Sequence, residues 1–235
     1  MQRSTQVLRS GQRRHATSKI PIVFLFAGDP IKFGFVASLN RPGGNMTGIS
    51  LISNELTAKR LDLLREMIPG ATTIAYLTDP RVSGAEEETS DMVSAARALG
   101  LKAVILEASN EHDIDVAFET LVKGEANGLV VGPYVLFSIQ GKKIVELTER
   151  HRLPAMYFGS WLVRIGGLMS YSADPFSESH QIGRHYVGRI LKGEKPADLP
   201  VQLLTKFELA INLKTAKALG LAIPRTLWAV ATEVI

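Results

Sequence analysis

Eight short runs of aliphatic, β-branched and aromatic residues punctuate the chain: Ile20–Phe26, Met46–Ile49, Thr73–Leu77, Ala103–Leu106, Gly128–Val131, Ala155–Phe158, Leu168–Tyr171 and Phe207–Ile211. Several are apolar at every position instead of alternating. A strand with one wet face alternates, so an unbroken apolar run is expected of a parallel strand covered on both faces.

Between the runs the period changes. Ile114, Ala117, Phe118, Leu121 and Val122 recur at i, i+3, i+4, i+7 and i+8, which lays one apolar stripe along a helix. Leu56, Leu63, Leu64 and Met67 do the same over residues 54–67, with Ser53 as the expected N-cap. Met92, Ala96 and Leu99 mark a helix that Gly100 ends, and Ile182, Tyr186, Val187 and Ile190 mark a later one stopped by KGEKP. Strand–helix alternation specifies an α/β chain with an open sheet and helices on both faces. Four βα repeats run from about residue 53 to 165. The strands before 50 and after 166 do not continue that series and are expected in a separate sheet, giving two lobes.

Composition excludes more than it selects. The 235 residues suffice for one large domain or two small lobes, and no apolar run nears the length of about 20 residues that spans a bilayer. Cysteine is absent, which removes disulfides and thiolate metal sites. The formal charge of +4 is localised: residues 1–19 hold Arg3, Arg9, Arg13, Arg14 and Lys19 and no acid. With those five set aside from the 27 Lys and Arg, 22 remain against 23 Asp and Glu. Residues 1–18 therefore read as a disordered basic leader, and no nucleic-acid partner is called for. The leader lacks the apolar core of roughly 7–15 residues that a secretory signal needs.

Ligands of open α/β sheets bind at the carboxyl ends of the strands. That singles out AGDP after Phe26, TDPRVSG after Leu77, GPYVLFS after Val131 and GSW after Phe158. Asp29-Pro30 and Asp79-Pro80 each precede a helical pattern, where Asp caps free N–H groups and Pro fits the first turn. They either start helices and nothing more, or they offer N–H donors to a ligand carboxylate and aspartates to an ammonium. Tyr134, Phe137, Phe158 and Trp161 lie on or beside the same loops. Phe137 and Phe158 fit a core or a ligand wall equally, whereas Tyr134 and Trp161, in less apolar surroundings, are expected at the site.

Enzyme signatures fail. There is no G-x-G-x-x-G, no G-x-x-x-x-G-K-[ST] and no G-x-S-x-G; Ser160 in FGSWL lacks the second glycine. No cofactor is implied. His180 and His185, five apart, diverge by roughly 140° around a helix and make a poor metal pair. His15, His112 and His151 have no obvious partner, and Glu86–Glu88 read as a solvated helix start favoured by the dipole.

Several longer stretches carry a resemblance: PIVF, GDPIKFGFVASLNRPGGNMTGIS, ELTAKRLDLLREMIPGATTIAYL, GGLMSYSADP, GRILKGEKPADLPVQLLTKFELAINLKTAKALGL and the closing ATEVI. Over residues 17–235 the chain resembles the substrate-binding components of ABC transporters often described as tryptophan/tyrosine-binding, with a type I periplasmic-binding-protein fold. The resemblance implies two Rossmann-like α/β lobes that close on a small molecule, delivery to an ABC permease in the membrane, a periplasmic or extracytoplasmic location and no catalysis. It implies a first lobe of 19–50 plus 166–206, a second of 51–165, and a third crossing and tail at 207–235 on the second lobe.

The same resemblance implies a ligand site. Gly28, Asp29 and Pro30 match the first lobe's ligand-facing loop, and Ser50 leaves that lobe. Asp79 and Pro80 match the facing loop of the second, with Tyr134–Ser138 and Phe158–Ser160 as further walls. Relatives are often Asn-rich where this chain has Arg81-Val82-Ser83, and usually carry Asp where it has Tyr134. Arg81 is placed to hold a carboxylate bidentately. Full-length relatives have a signal peptide and about two more βα units ahead of PIVF, so an incomplete first lobe with an exposed sheet edge is expected here. Two other readings compete: the ligand-sensing domain of a transcriptional or signalling regulator, and an enzyme with Asp29 or Asp79 as base.

Overall fold

The computed structural model describes residues 17–26, 29–50, 53–124, 126–173, 182–204 and 206–235. The basic leader up to residue 16, Gly28 and His180 lie outside them. Two compact units emerge: one from the described residues within Met1–Ser53 and Asp174–Lys206, the other from those within Asn54–Ala173 and Phe207–Ile235. The chain passes from one unit to the other three times, near residues 53, 174 and 206.

The first unit holds three parallel strands in the order β1-β2-β8: β1 (Ile22–Phe26), β2 (Met46–Ser50) and β8 (Gln202–Leu203). Alternate residues of β1 serve two small cores. Phe24 and Phe26 pack with Val36, Phe35 and Val201 on one face, while Val23 packs with Ile49, Tyr186 and Leu199 on the other. Tyr186 is fixed at both ends of its dipole, donating to the Pro200 carbonyl at 2.9 Å and accepting from the Gln202 N–H at 3.0 Å. The later helix winds first as a wide π-turn segment, Ile182–Val187, then as α-helix over Gly188–Leu191.

The second unit is built on seven strands in the order β10-β9-β7-β6-β5-β3-β4. They are β3 (Thr73–Thr78), β4 (Lys102–Glu107), β5 (Gly128–Val131), β6 (Ala155–Tyr157), β7 (Met169–Ala173), β9 (Phe207–Ile211) and β10 (Glu233–Val234). Every pairing is parallel except β7 with β9. The two strands after residue 166, expected in a separate sheet, are thus members of this one. The segment 166–173, assigned to the first lobe by resemblance, is held here by pairing of Met169 with Met156 on β6 and with Ile211 on β9.

Why these runs are apolar throughout is visible in the packing. β3 sends Ala75 and Leu77 into one layer with Phe118, Phe137 and Leu162, and Ile74 and Tyr76 into the other with Leu64, Met92 and Leu209. The covering helices follow their stripes: α1 (Ser53–Met67), α2 (Ala85–Ala98), α3 (Glu111–Lys123), α4 (Val135–Ile139), α5 (Gly141–Arg150) and α6 (Ser160–Arg164). On α3 the buried positions are Ile114, Ala117, Phe118 and Leu121, with Asn110 capping the Asp113 N–H, while Val122 ends up exposed. Gly100 follows Leu99 at φ +70, the left-handed turn that lets the Leu101 N–H reach back to the Ala96 carbonyl. Among the described residues no helix is long and apolar enough to cross a membrane.

At Gly48 two strands of the first unit approach closely. This glycine pairs with Phe24, and a Cβ there would sit 2.0 Å from the Phe24 carbonyl oxygen and 2.7 Å from its nitrogen. Backbone cannot yield as a flexible side chain would, so Gly48→Ala must separate β1 from β2. A cost of about 1–3 kcal/mol is expected, read as a thermal midpoint lowered by roughly 2–12 °C for a chain of this size; an unchanged midpoint would refute the close pairing.

Candidate functional site

In the second unit the loops that follow β3, β5 and β6 come off the carboxyl ends of adjacent parallel strands. Asp79, the first residue beyond β3, is 3 % exposed. Its Oδ1 accepts from the Arg81 backbone N–H at 3.1 Å and from Arg81 Nε at 3.0 Å, and its Oδ2 from Arg81 Nη2 at 2.8 Å. The guanidinium fork, 60 % exposed, thus closes on the carboxylate two residues back. Those bonds, chiefly the side-chain one, hold Asp79 below the usual carboxylate range against the opposing effect of burial.

This geometry corrects the expectation that Asp79-Pro80 starts a helix. The Arg81 contacts form a local turn, Val82 N–H bonds back to the Asp79 carbonyl, and α2 begins only at Ala85 after Gly84 at φ +93. In the first unit Asp29 behaves alike. Its Oδ1 accepts from the Ile31 and Lys32 N–H groups at 2.8 and 3.3 Å. The bonds Phe33 N–H to Asp29 O and Phe35 N–H to Pro30 O make one turn, not a regular helix. Ser50 ends β2 fully buried, its carbonyl accepting from the Leu204 N–H at 3.2 Å.

Tyr134 departs furthest from its expected role. Its ring is 5 % exposed and packs in the core, edge-on to Phe137. Room for it comes from Gly132, where a Cβ would lie 2.4 Å from Tyr134 Cε2 and 2.8 Å from the Leu77 carbonyl. The hydroxyl donates to Glu88 Oε2 at 2.7 Å and accepts from Thr78 Oγ1 at 3.2 Å. Burial, then the charge of Glu88, push this phenol well above its ordinary range.

Glu88 itself overturns the reading of Glu86–Glu88 as uniformly solvated. Glu86 and Glu87 are exposed, but Glu88 is buried and accepts from Thr57 Oγ1 on α1 at 2.8 Å. Arg60, 4 % exposed, donates from Nε to the Tyr171 carbonyl on β7 at 2.9 Å and lies within electrostatic range of Glu88. Burial lowers the Arg60 pKa, with Glu88 opposing. Tyr76, on the same layer, is fully buried with no hydrogen-bond partner for its hydroxyl among the described residues. Neither Glu88 nor Arg60 was singled out from sequence. The signal was present, because Ala85, Glu88, Met92 and Ala96 fall on the one buried face of α2.

The remaining wall residues are close by in sequence. Ser138 Oγ bonds to the Tyr134 carbonyl at 3.3 Å. Ser160 opens α6 and is buried, while Phe158 is 8 % exposed and meets Trp161 edge-on at 5.5 Å. Trp161 is 41 % exposed. Among the described residues no group of three His, Asp or Glu side chains could hold a metal ion. His151 stacks on Phe118 and His185 is exposed.

The model of the family of ABC transporter substrate binding proteins matches residues 7–235, and the chain belongs to that family. A tyrosine-binding protein of Clostridioides difficile (strain R20291) is 26% identical over 208 residues, 88% of this chain and 59% of that protein. The match therefore spans less than two thirds of that relative's length. Among solved structures, an ABC domain in complex with L-Trp from Streptococcus pneumoniae shares 24% identity at a TM-score of 0.83, covering 96% of this chain and 77% of that one. A conserved domain protein from Vibrio cholerae shares 25% identity at a TM-score of 0.84, covering 96% and 75%. The fold is thus of the type I periplasmic-binding-protein class, and the family consists of binding proteins, not enzymes.

Because the folded-state pKa of Asp79 is depressed, its ionised form stabilises the native state at neutral pH, and that contribution is lost as pH falls through the folded pKa. Arg81→Gln removes the fork, so the loss begins at higher pH. Acid unfolding followed by circular dichroism is expected to move to higher pH in the variant, with a loss of stability at pH 7 that is small because the arginine is mostly exposed and that vanishes below the folded pKa. An unmoved acid limb would show that the pair does not set the Asp79 pKa.

Proposed function

We propose that the chain is the solute-binding component of an ABC importer, taking an amino acid or related small molecule with an aromatic side chain. The observation that carries this reading is the family match across residues 7–235, supported by the polar loop at the carboxyl end of β3. In this reading the protein works outside the cytoplasm, in the periplasm where the cell has one, and hands its solute to a membrane permease. A regulator's sensing domain shares the fold class, but the family match favours transport.

The Asp79–Arg81 pair supplies the chemistry for an α-amino acid. An internal carboxylate and guanidinium already bonded at 2.8 and 3.0 Å stand in for the two charges of the solute's backbone. An incoming carboxylate takes over the exposed Arg81 fork, and Asp79, released from it, accepts from the ammonium. Charge is conserved at each step, and no ion is left unpaired. Trp161, Phe158 and Ser160 on the neighbouring loop supply apolar surface and a hydroxyl for the side chain, and Ser138 follows the loop after β5. In the first unit Asp29, Pro30 and Ser50, together with Gly28, remain the proposed contacts.

Two measurements test this. L-tryptophan or L-tyrosine at about 100 times its Kd stabilises the native state by about 2.7 kcal/mol, or roughly 5–11 °C in the thermal midpoint. Silence across aromatic amino acids and aromatic acids would sink the proposal. In calorimetry, Arg81→Gln is expected to weaken L-tryptophan by about tenfold while leaving tryptamine, which has no carboxylate, nearly unaffected.

A further inference from the structure

We propose that Glu88 is a positioning residue for the solute site, joining the loop after β5 to the helix that begins at the first crossing between the units. The inference rests on the solute-binding reading for its purpose, but its geometry stands alone. One buried carboxylate accepts from Tyr134 at 2.7 Å and from Thr57 at 2.8 Å. Tyr134 opens the segment that carries Ser138, and its hydroxyl also accepts from Thr78, the residue before Asp79. Thr57 lies four residues into α1, which starts where the chain enters the second unit.

From Glu88 the connection runs further. Arg60, one turn on from Thr57 on the same helix, donates to the Tyr171 carbonyl at 2.9 Å. Tyr171 lies two residues before β7 ends at the second crossing, and its ring meets that of Phe207 at 5.7 Å, where the third crossing delivers β9. Hydrogen bonds thus join the residues flanking Asp79 and Ser138 to the helix at the first crossing, and Arg60, on that same helix, reaches Tyr171 and through its ring Phe207 at the other two. The exposed Glu86, on the same helix turn, has no part in it.

The test uses hydrogen–deuterium exchange and calorimetry on the whole chain, with L-tryptophan as the solute probe. Glu88→Gln keeps the side-chain shape but removes the charge and turns one acceptor into a donor. Tyr134→Phe removes a single hydroxyl and serves should the first variant fold poorly. Glu86→Gln is the control. Without solute, Glu88→Gln is expected to speed exchange by tenfold or more in both 134–139 and 54–60, whereas Tyr134→Phe speeds it only in 134–139. Exchange in α3 should not change in either, and Kd for L-tryptophan should rise about tenfold in both. Unchanged exchange at 134–139 in Tyr134→Phe, exchange that rises equally in α3, or an unchanged Kd would each overturn the proposal. Should L-tryptophan bind none of the proteins, the solute-binding reading is what suffers, and the solute-free arm still decides whether Glu88 couples the two segments.

Discussion

Parallel strands run their backbones out at a common edge, and they can do so only if both faces of the sheet are covered. That requirement organises the second unit. It makes β3 and β5 apolar at nearly every position, places α1 and α2 over one face and α3, α5 and α6 over the other, and leaves the loops at one edge as the place where polar groups gather. Asp79, Tyr134 and Phe158 stand at that edge because their strands end there. Their chemistry differs because the space behind each differs.

Two charged sites near that edge illustrate the point. Asp79 and Arg81 are two residues apart, and the arginine is mostly in water, so their bond can be broken by a competing ion at small cost. Glu88 and Arg60 are both nearly out of water and belong to different helices. Each is held by hydrogen bonds, Glu88 from Thr57 and Tyr134 and Arg60 to the Tyr171 carbonyl, and a buried group that loses such a bond costs about 1–3 kcal/mol. The first site is suited to exchange and the second to holding a shape. A binding protein of the kind proposed needs both, since a solute must displace something labile while the loops presenting it stay fixed.

Much of the fold was legible in the sequence for the same reason that it is stable. Thr73–Leu77, Gly128–Val131 and Phe207–Ile211 read as strands because burial on two faces leaves an unmistakable apolar run, and Gly100 marked a helix end through its left-handed φ. Sheet membership was not legible. β7 joins the larger sheet through pairing with β6 and an antiparallel β9, and no local pattern encodes which partner a strand finds. Asp29 and Asp79 were read as helix starts, but each closes a local turn instead. The Glu86–Glu88 run misled because three adjacent acids suggest solvent, whereas helical period separates the third from the other two. Side-chain position around the helix, not composition, decides which glutamate is buried.

Tyr134 shows how such local errors are connected. A phenol at the end of β5 can point into water or fold beneath the loop. Gly132 leaves the volume that the second choice requires, since a Cβ there would overlap the ring. A buried hydroxyl then needs an acceptor, because an unmet one would cost about 1–3 kcal/mol. Glu88 is that acceptor, and the Thr57 hydroxyl donates to its other carboxylate oxygen. Glycine, tyrosine, glutamate and threonine, drawn from the loop after β5, from α2 and from α1, are therefore parts of one arrangement. Remove any one and the reason for the next disappears. The segment after β5 presents Ser138 at its surface because the Tyr134 side chain has been turned inward and anchored.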